Sequence, residues 1–226
     1  MTSLSIIIPV YNESATFEEL LEQVRKLAIP NKEIIVVDDY STDGTRDVLQ
    51  KINYPDVKIL MQPKNMGKGA ALRRGLEAAI GEVVVPQDSD LELHPEQLID
   101  IFNYYKKENA QAVFGTRFKK ARFSFNPYFL ANYLLSLLTS SLFFKRVTDM
   151  ETCYKMVDRQ LLLSLKLRSN RFDIEPETTA KLLKKKVHIK EYPITYKPRS
   201  TKEGKKINIK DAFVAVWTLL RIRLFN

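Results

Sequence analysis

Asp88, Asp90 and Glu92 stand at alternate positions in the run Gln87-Asp88-Ser89-Asp90-Leu91-Glu92. Carboxylates so spaced suit a hard divalent cation, Mg²⁺ or Mn²⁺, because oxygen ligands hold such an ion while substrate phosphates complete its octahedron. Asn12 and Glu13 close the first apolar run of the chain, and Asp38 and Asp39 close the second. A single Asp after a strand is commonly a helix N-cap, and Asp43, in Ser41-Thr42-Asp43-Gly44-Thr45, reads as a turn or cap residue. Acids collected at several successive strand ends point instead to a site.

The elements that position them follow from periodicity. Leu4 to Val10, Glu33 to Asp38, Val57 to Met61 and Glu82 to Pro86 are short runs bounded by turn residues and read as buried strands. Thr16 to Ala28, Asp43 to Lys51 and Lys68 to Ile80 carry apolar residues at helical spacing, Phe17, Leu20, Leu21 and Val24 among them. Strands alternating with helices imply right-handed crossovers and an α/β fold, with a mostly parallel sheet flanked by helices. Ligands of such sheets bind at the carboxyl ends of the strands, where the acids lie.

The run Asn65-Met66-Gly67-Lys68-Gly69-Ala70-Ala71 invites comparison with a phosphate loop, but Gly69 stands where a Walker loop needs Ser or Thr. The dinucleotide pattern fails too, with Leu72 in place of its third Gly. These glycines read as a tight turn and close helix packing.

The 226 residues are enough for one domain with appendages, divided as 1–118, 119–206 and, at 207–226, a C-terminal amphipathic helix. The single cysteine, Cys153, excludes an intrachain disulfide and fits a reducing compartment. Met1 to Val10 lacks a basic leader and reads as a strand rather than a signal peptide, so a cytoplasmic location is expected. The formal net charge is +9, and residues 181–210 hold eleven Lys/Arg against Glu191 and Glu203. Nucleic acid, anionic head groups or a diphosphate could meet that stretch, and charge alone does not choose. A nucleic-acid-binding module leaves the clustered acids unexplained, because acids repel phosphate backbones. A nucleotidyltransferase would show a Gly-rich basic loop after the first strand, where this chain has Tyr11-Asn12-Glu13. No nucleic-acid partner is therefore expected.

The ordered motifs resemble family 2 glycosyltransferases, in particular the dolichyl-phosphate mannose synthase and polyprenyl-phosphate glycosyltransferase branch. They are Pro9 to Glu13, Val37 to Thr45, Asn65 to Gly75, Gln87 to Glu92, Gly115-Thr116-Arg117, Thr148 to Lys155, Ile174 to Glu177 and Pro198 to Lys206. The resemblance implies a GT-A, Rossmann-like fold, a single catalytic domain with 1–118 as the nucleotide-sugar-binding half and 119–206 as the acceptor-binding half, and inverting, metal-dependent transfer of mannose or glucose from GDP-mannose or UDP-glucose to a polyprenyl or dolichyl phosphate. It places Pro9, Tyr11, Glu13, Val37 and Asp39 at the base and ribose. Asp88, Ser89 and Asp90 would lie along the ribose and diphosphate, with Mg²⁺ or Mn²⁺ on Asp90 and Glu92. Many mannose synthases carry Gln where Glu92 stands. Asp90 and Arg117 would be catalytic, Arg117 facing both donor sugar and acceptor phosphate, while Arg199 and Lys205 close over the diphosphate. Arg122 and Asn132 are further acceptor candidates, and Asp173 stands near where some relatives have a diphosphate-binding lysine.

A lipid monophosphate has a second pKa of about 6, so its attacking oxygen is already anionic at neutral pH and needs no general base. A sugar hydroxyl would need one, with Asp149 or Glu151 as candidates; capping, or pairing with Lys155 and Arg146, is their structural alternative. Phe123 to Phe144 is a 22-residue run without charge, but Asn126, Pro127, Asn132 and five Ser/Thr residues make it a poor lipid-facing cylinder. It reads as an interfacial acceptor helix. In the tail, Phe213, Val214, Trp217 and Leu220 fall near one helical face, with Arg221 and Arg223 available for head groups. Peripheral attachment to a membrane surface is the resulting expectation.

Overall fold

The computed structural model describes residues 2–118, 127–198 and 209–225. Seven strands form one sheet in the order β3-β2-β1-β4-β6-β5-β7. They are β1 (Leu4–Val10), β2 (Lys32–Asp38), β3 (Val57–Met61), β4 (Val83–Pro86), β5 (Ala112–Thr116), β6 (Lys155–Asp158) and β7 (Ile189–Pro193). All run parallel except β6, which pairs antiparallel with β4 on one side and β5 on the other. The helices are α1 (Phe17–Arg25), α2 (Thr45–Lys51), α3 (Lys68–Ala78), α4 (Gln97–Lys107), α5 (Pro127–Phe143), α6 (Arg159–Ser164), α7 (Ile174–Lys184) and α8 (Ile209–Phe225).

Both faces of the sheet are covered, and strand residues divide between them with a period of two. Ile7, Ile35 and Val37 enter a core closed by residues of α3, α5, α6, α7 and α8, such as Leu72, Leu135, Leu162, Leu182 and Leu219. Ile6, Ile8, Ile34 and Val36 enter the opposite core, closed by Phe17, Leu20, Leu49, Leu98 and Ile101. The first, second and fourth strands are buried as expected. β3 is only partly buried, because it ends the sheet and has a neighbour on one side alone.

Two features open a crevice at the carboxyl edge. The ladder between β1 and β4 stops at Ile7 and Pro86, so the last residues of β1 extend past β4. Pro9, which has no N–H to donate, falls where that ladder has ended. Second, β6 runs against the other strands, so its beginning lies at the edge where they end. Residues just before Lys155 are thereby delivered to the same crevice as those following β1, β2, β4 and β5. Among the described residues, no helix is long and apolar enough to cross a membrane.

Candidate active site

The loops at this edge are fixed by their own polar side chains. After β1, Asn12 takes a left-handed φ of 51°, its N–H donates to Ser41 Oγ at 3.0 Å, and its Oδ1 accepts from Thr42 N at 2.8 Å. After β2, buried Asp38 pairs with Arg46 Nε at 3.0 Å and caps the turn through Ser41 N at 3.1 Å. Asp43 accepts from Ser14 N and Thr45 N, at 3.0 and 3.1 Å, a turn role. Asp39 Oδ1 accepts from Met66 N at 2.7 Å and Gln62 Nε2 at 2.9 Å, while Oδ2 accepts from Gly67 N at 2.7 Å. The Asp39 carboxylate therefore shapes the loop that opens α3.

That loop packs closely against residues 169–171. Gly67 has φ +94°, and a Cβ there would lie 2.3 Å from Asn170 O; one on Gly69 would lie 2.5 Å from Ser169 O. Only glycine permits this approach. Lys68, between them, is carried inward to pair with Asp88 Oδ1 at 2.7 Å and Glu175 Oε1 at 3.1 Å. Glu175 also pairs with buried Lys155. Burial opposes the Lys68 charge, but Asp88 and Glu175 outweigh it and hold its pKa well above the usual lysine value.

The loops surround a cleft of about 470 Å³. Pro9, Tyr11, Glu13, Asp39, Asp88, Ser89, Asp90, Glu92, Arg117 and Asn132 all line it, which brings together ten of the residues singled out from the sequence. Val37 does not: its side chain is fully buried in the core with Ile7 and Ile35, on the face of the sheet rather than at its end. Arg122, Arg199 and Lys205 lie outside the described residues. Lys68, Thr152, Cys153, Arg171, Glu175 and Tyr196 line the cleft in addition. Asp173 does not line it; its Oδ1 accepts from Arg171 N at 3.1 Å, and Arg171 presents the cation on this wall.

Asp90 and Glu92 are separated by Leu91 at φ 58°, a conformation that costs a non-glycine residue about 1–2 kcal/mol. This turn lets Asp90 Oδ1 accept from Glu92 N at 3.1 Å and sets both side chains on the cleft. Across from them, Arg117 grips Asp149 with Nε and Nη2, each at 2.7 Å, and its backbone N–H adds a third bond at 2.9 Å. Asp149 is wholly buried and serves as the orienter of Arg117; neither Lys155 nor Arg146 is its partner. Glu151, by contrast, lines the cleft, and burial pushes its carboxyl up to about 7 against the pull of Lys155.

Seven carboxyl side chains line the cleft against three cations, Lys68, Arg117 and Arg171. A diphosphate entering such a field needs added positive charge, and the all-oxygen pair Asp90 and Glu92 fits Mg²⁺ or Mn²⁺ with phosphates as further ligands. Among the described residues no group of three or more carboxylates, histidines or cysteines converges on one point, so protein ligands alone do not close a metal cage.

The profile of the family described as "Glycosyl transferase family 2" matches residues 5–164. The chain belongs to glycosyl transferase family 2. Among its relatives is a dolichol-phosphate mannosyltransferase of Pyrococcus furiosus, 38% identical over 120 residues, which are 52% of this chain and 34% of the relative. A dolichyl-phosphate beta-glucosyltransferase of Trichomonas vaginalis is 25% identical over 99% of this chain and 73% of its own length. The match to the first therefore spans about a third of that relative's length. Among solved structures, glucosyl-3-phosphoglycerate synthase from Mycobacterium tuberculosis, in complex with Mn²⁺, UDP and phosphoglyceric acid, superposes with a TM-score of 0.75. It is 21% identical and covers 100% of this chain and 80% of the other. The S. aureus protein TarS, in complex with UDP-GlcNAc, gives a TM-score of 0.65 at 19% identity, covering 99% of this chain and 67% of the other. The GT-A architecture expected of this family-2 chain holds for the described residues.

Proposed function

We propose that this chain transfers a hexose, mannose or glucose, from GDP-mannose or UDP-glucose to a polyprenyl or dolichyl phosphate, with inversion, while attached peripherally to the cytoplasmic face of a membrane. The observation that carries the reading is the position of Arg117. Its guanidinium lies in the cleft opposite the acidic strand ends, and the next residue, Phe118, stacks edge-on with Phe129 of α5 at 4.8 Å and approaches Tyr133 at 6.0 Å. An anion site thus opens onto apolar surface. Leu130, Tyr133, Leu134 and Leu137 continue along the exposed side of α5, and Phe213, Val214 and Trp217 along that of α8, which packs beside it. A lipid phosphate has this division into charged head and apolar chain.

The donor diphosphate would lie over the ends of β1 and β4, with the metal on Asp90 and Glu92. A bound Mg²⁺ or Mn²⁺ supplies charge neutralisation of the nucleoside diphosphate leaving group. Asp39 holds the turn at Met66 and Gly67, and through it Lys68, which sets Asp88 beside the phosphates. Arg117, fixed in plane by Asp149, orients the acceptor phosphate, whose oxygen attacks the anomeric carbon from the face opposite the leaving group. No side chain needs to remove a proton in that step.

A second reading, a glycan hydroxyl as acceptor, is favoured by Glu151 alone: it lines the cleft with a carboxyl near pH 7, suited to a general base. The deciding experiment offers purified protein each donor with Mn²⁺ or Mg²⁺ and a short polyprenyl phosphate, against Asp90→Ala. Metal-dependent transfer lost in the variant is the expected result. Donor binding without transfer to the lipid would move the acceptor to a hydroxyl.

A further inference from the structure

Glu92 follows β4 and Arg117 follows β5, yet one side chain touches both. Tyr196 donates its hydroxyl to Glu92 Oε2 at 2.6 Å, and the Arg117 guanidinium lies 5.1 Å over the centre of its ring. The segment carrying Tyr196 is stitched to the β4 loop. Tyr196 bridges antiparallel to Leu93, and Lys197 N donates to Glu92 O at 2.9 Å. Thr195 donates its N–H and hydroxyl to Gln97 Oε1 at 2.6 and 2.9 Å, and Gln97 Nε2 returns a bond to Thr195 O at 3.0 Å. The phenol is therefore placed by main-chain pairing.

We infer that Tyr196 is a positioning residue that sets the Glu92 carboxylate for a divalent cation and the Arg117 guanidinium for the acceptor anion together. A carboxylate with one oxygen hydrogen-bonded has its orientation fixed before the ion arrives, and such outer partners govern metal affinity. The guanidinium is held edge-on by Asp149, and its carbon lies over the face of the ring, where the cation is attracted. Donor activation and acceptor alignment are thereby kept in register. The inference rests on the proposed reading of Asp90 and Glu92 as metal ligands and of Arg117 as the acceptor's anchor.

The test measures Mn²⁺ binding in the presence of UDP, from the EPR signal of free Mn²⁺, in wild type, Tyr196→Phe, Tyr196→Leu and Asp90→Asn. Tyr196→Phe keeps the ring and loses the hydroxyl, and should weaken Mn²⁺ binding about tenfold while KM for the lipid phosphate stays within about twofold. Tyr196→Leu should show the same metal loss and also raise that KM several-fold. In a Glu92→Ala background, Tyr196→Phe should add nothing to the metal loss. Wild-type Mn²⁺ affinity in Tyr196→Phe, with binding lost in Asp90→Asn, would overturn the role of Tyr196 and leave the metal site standing. Unchanged affinity in both variants would sink the metal site and the inference with it. A Tyr196→Phe protein that melts well below wild type and loses UDP along with Mn²⁺ would assign the residue to the fold and count against the inference.

Discussion

The inner wall of the cleft and the outer face beside it are built differently. On the wall formed by the ends of β1, β2 and β4, almost every polar side chain is engaged with a neighbouring loop: Asn12 with Ser41 and Thr42, Asp39 with the turn at Gly67, Ser89 Oγ with Pro9 O at 3.1 Å. On the outer face formed by α5 and α8, which meets the cleft at Asn132, large apolar side chains face outward, with Trp217 62% exposed and Leu137 53% exposed. The inner wall is set before any ligand arrives; the outer face presents surface that folding alone has not covered. Perturbations should therefore register in different measurements, fold stability for one and partitioning for the other.

Denaturant unfolding breaks the comparison most strongly at Arg117. Arg117→Met leaves the buried Asp149 carboxylate without its cation, and a loss of about 3–5 kcal/mol in stability is expected, along with transfer activity. Next comes Gly69→Ala, whose added carbon would lie 2.5 Å from Ser169 O and 2.9 Å from Arg171 O, both backbone atoms that cannot swing away. Overpacking of this kind costs about 1–3 kcal/mol, and nucleotide binding should weaken as Lys68 shifts.

Glu151 tests the boundary between the two. Its carboxyl, at about 7, is raised above its ordinary value, so between roughly pH 4.5 and 7 the folded protein keeps a proton that the unfolded chain has released. Stability then falls as pH rises through that window, by about 2–3 kcal/mol. Glu151→Gln should flatten this slope; an unchanged slope would mean that the carboxyl is better solvated than its surroundings indicate. The smallest effect on the fold belongs to the outer face. Leu137→Ser with Trp217→Ser should change unfolding by about 0.5 kcal/mol or less, yet reduce binding to phospholipid vesicles about tenfold or more, as loss of apolar area at an interface requires. Unimpaired vesicle binding would remove the membrane from the proposed function.

Much of the inner wall is legible in the chain itself. β1 and β3 begin and end where their apolar runs do, and the carboxylates after β2 and β4 meet because strands of a parallel sheet end at one edge. What escapes a linear reading depends on contacts between distant segments. Lys68 belongs to no known phosphate-loop pattern, and its place in the cleft comes from Asp88 and Glu175, one of them more than a hundred positions away. Asp149 is a carboxylate among several until the β5 end delivers Arg117 to it. Val37 differs in the opposite way: it lies within β2, where either face of the sheet leads into a core, whereas Asp39, two residues on and past the strand end, lines the cleft. β6 is only four residues long and takes its direction from the strands on either side, information absent from its own composition.

The reversed direction of β6 also bears on how the acceptor side can vary. The chain leaves the sheet at Thr116 and re-enters at Lys155, and both points lie on one edge, beside the cleft. Everything between them, Arg117 and α5 included, is an excursion whose two ends are already held together by strand pairing. Loop-closure cost rises only slowly with length, so the exposed side of this excursion could change in length or chemistry without shifting the donor wall, as long as Leu135, Phe143, Val147 and Met150 still close the core beneath it. The architecture amounts to a fixed socket for the activated sugar with an exchangeable fitting for whatever receives it.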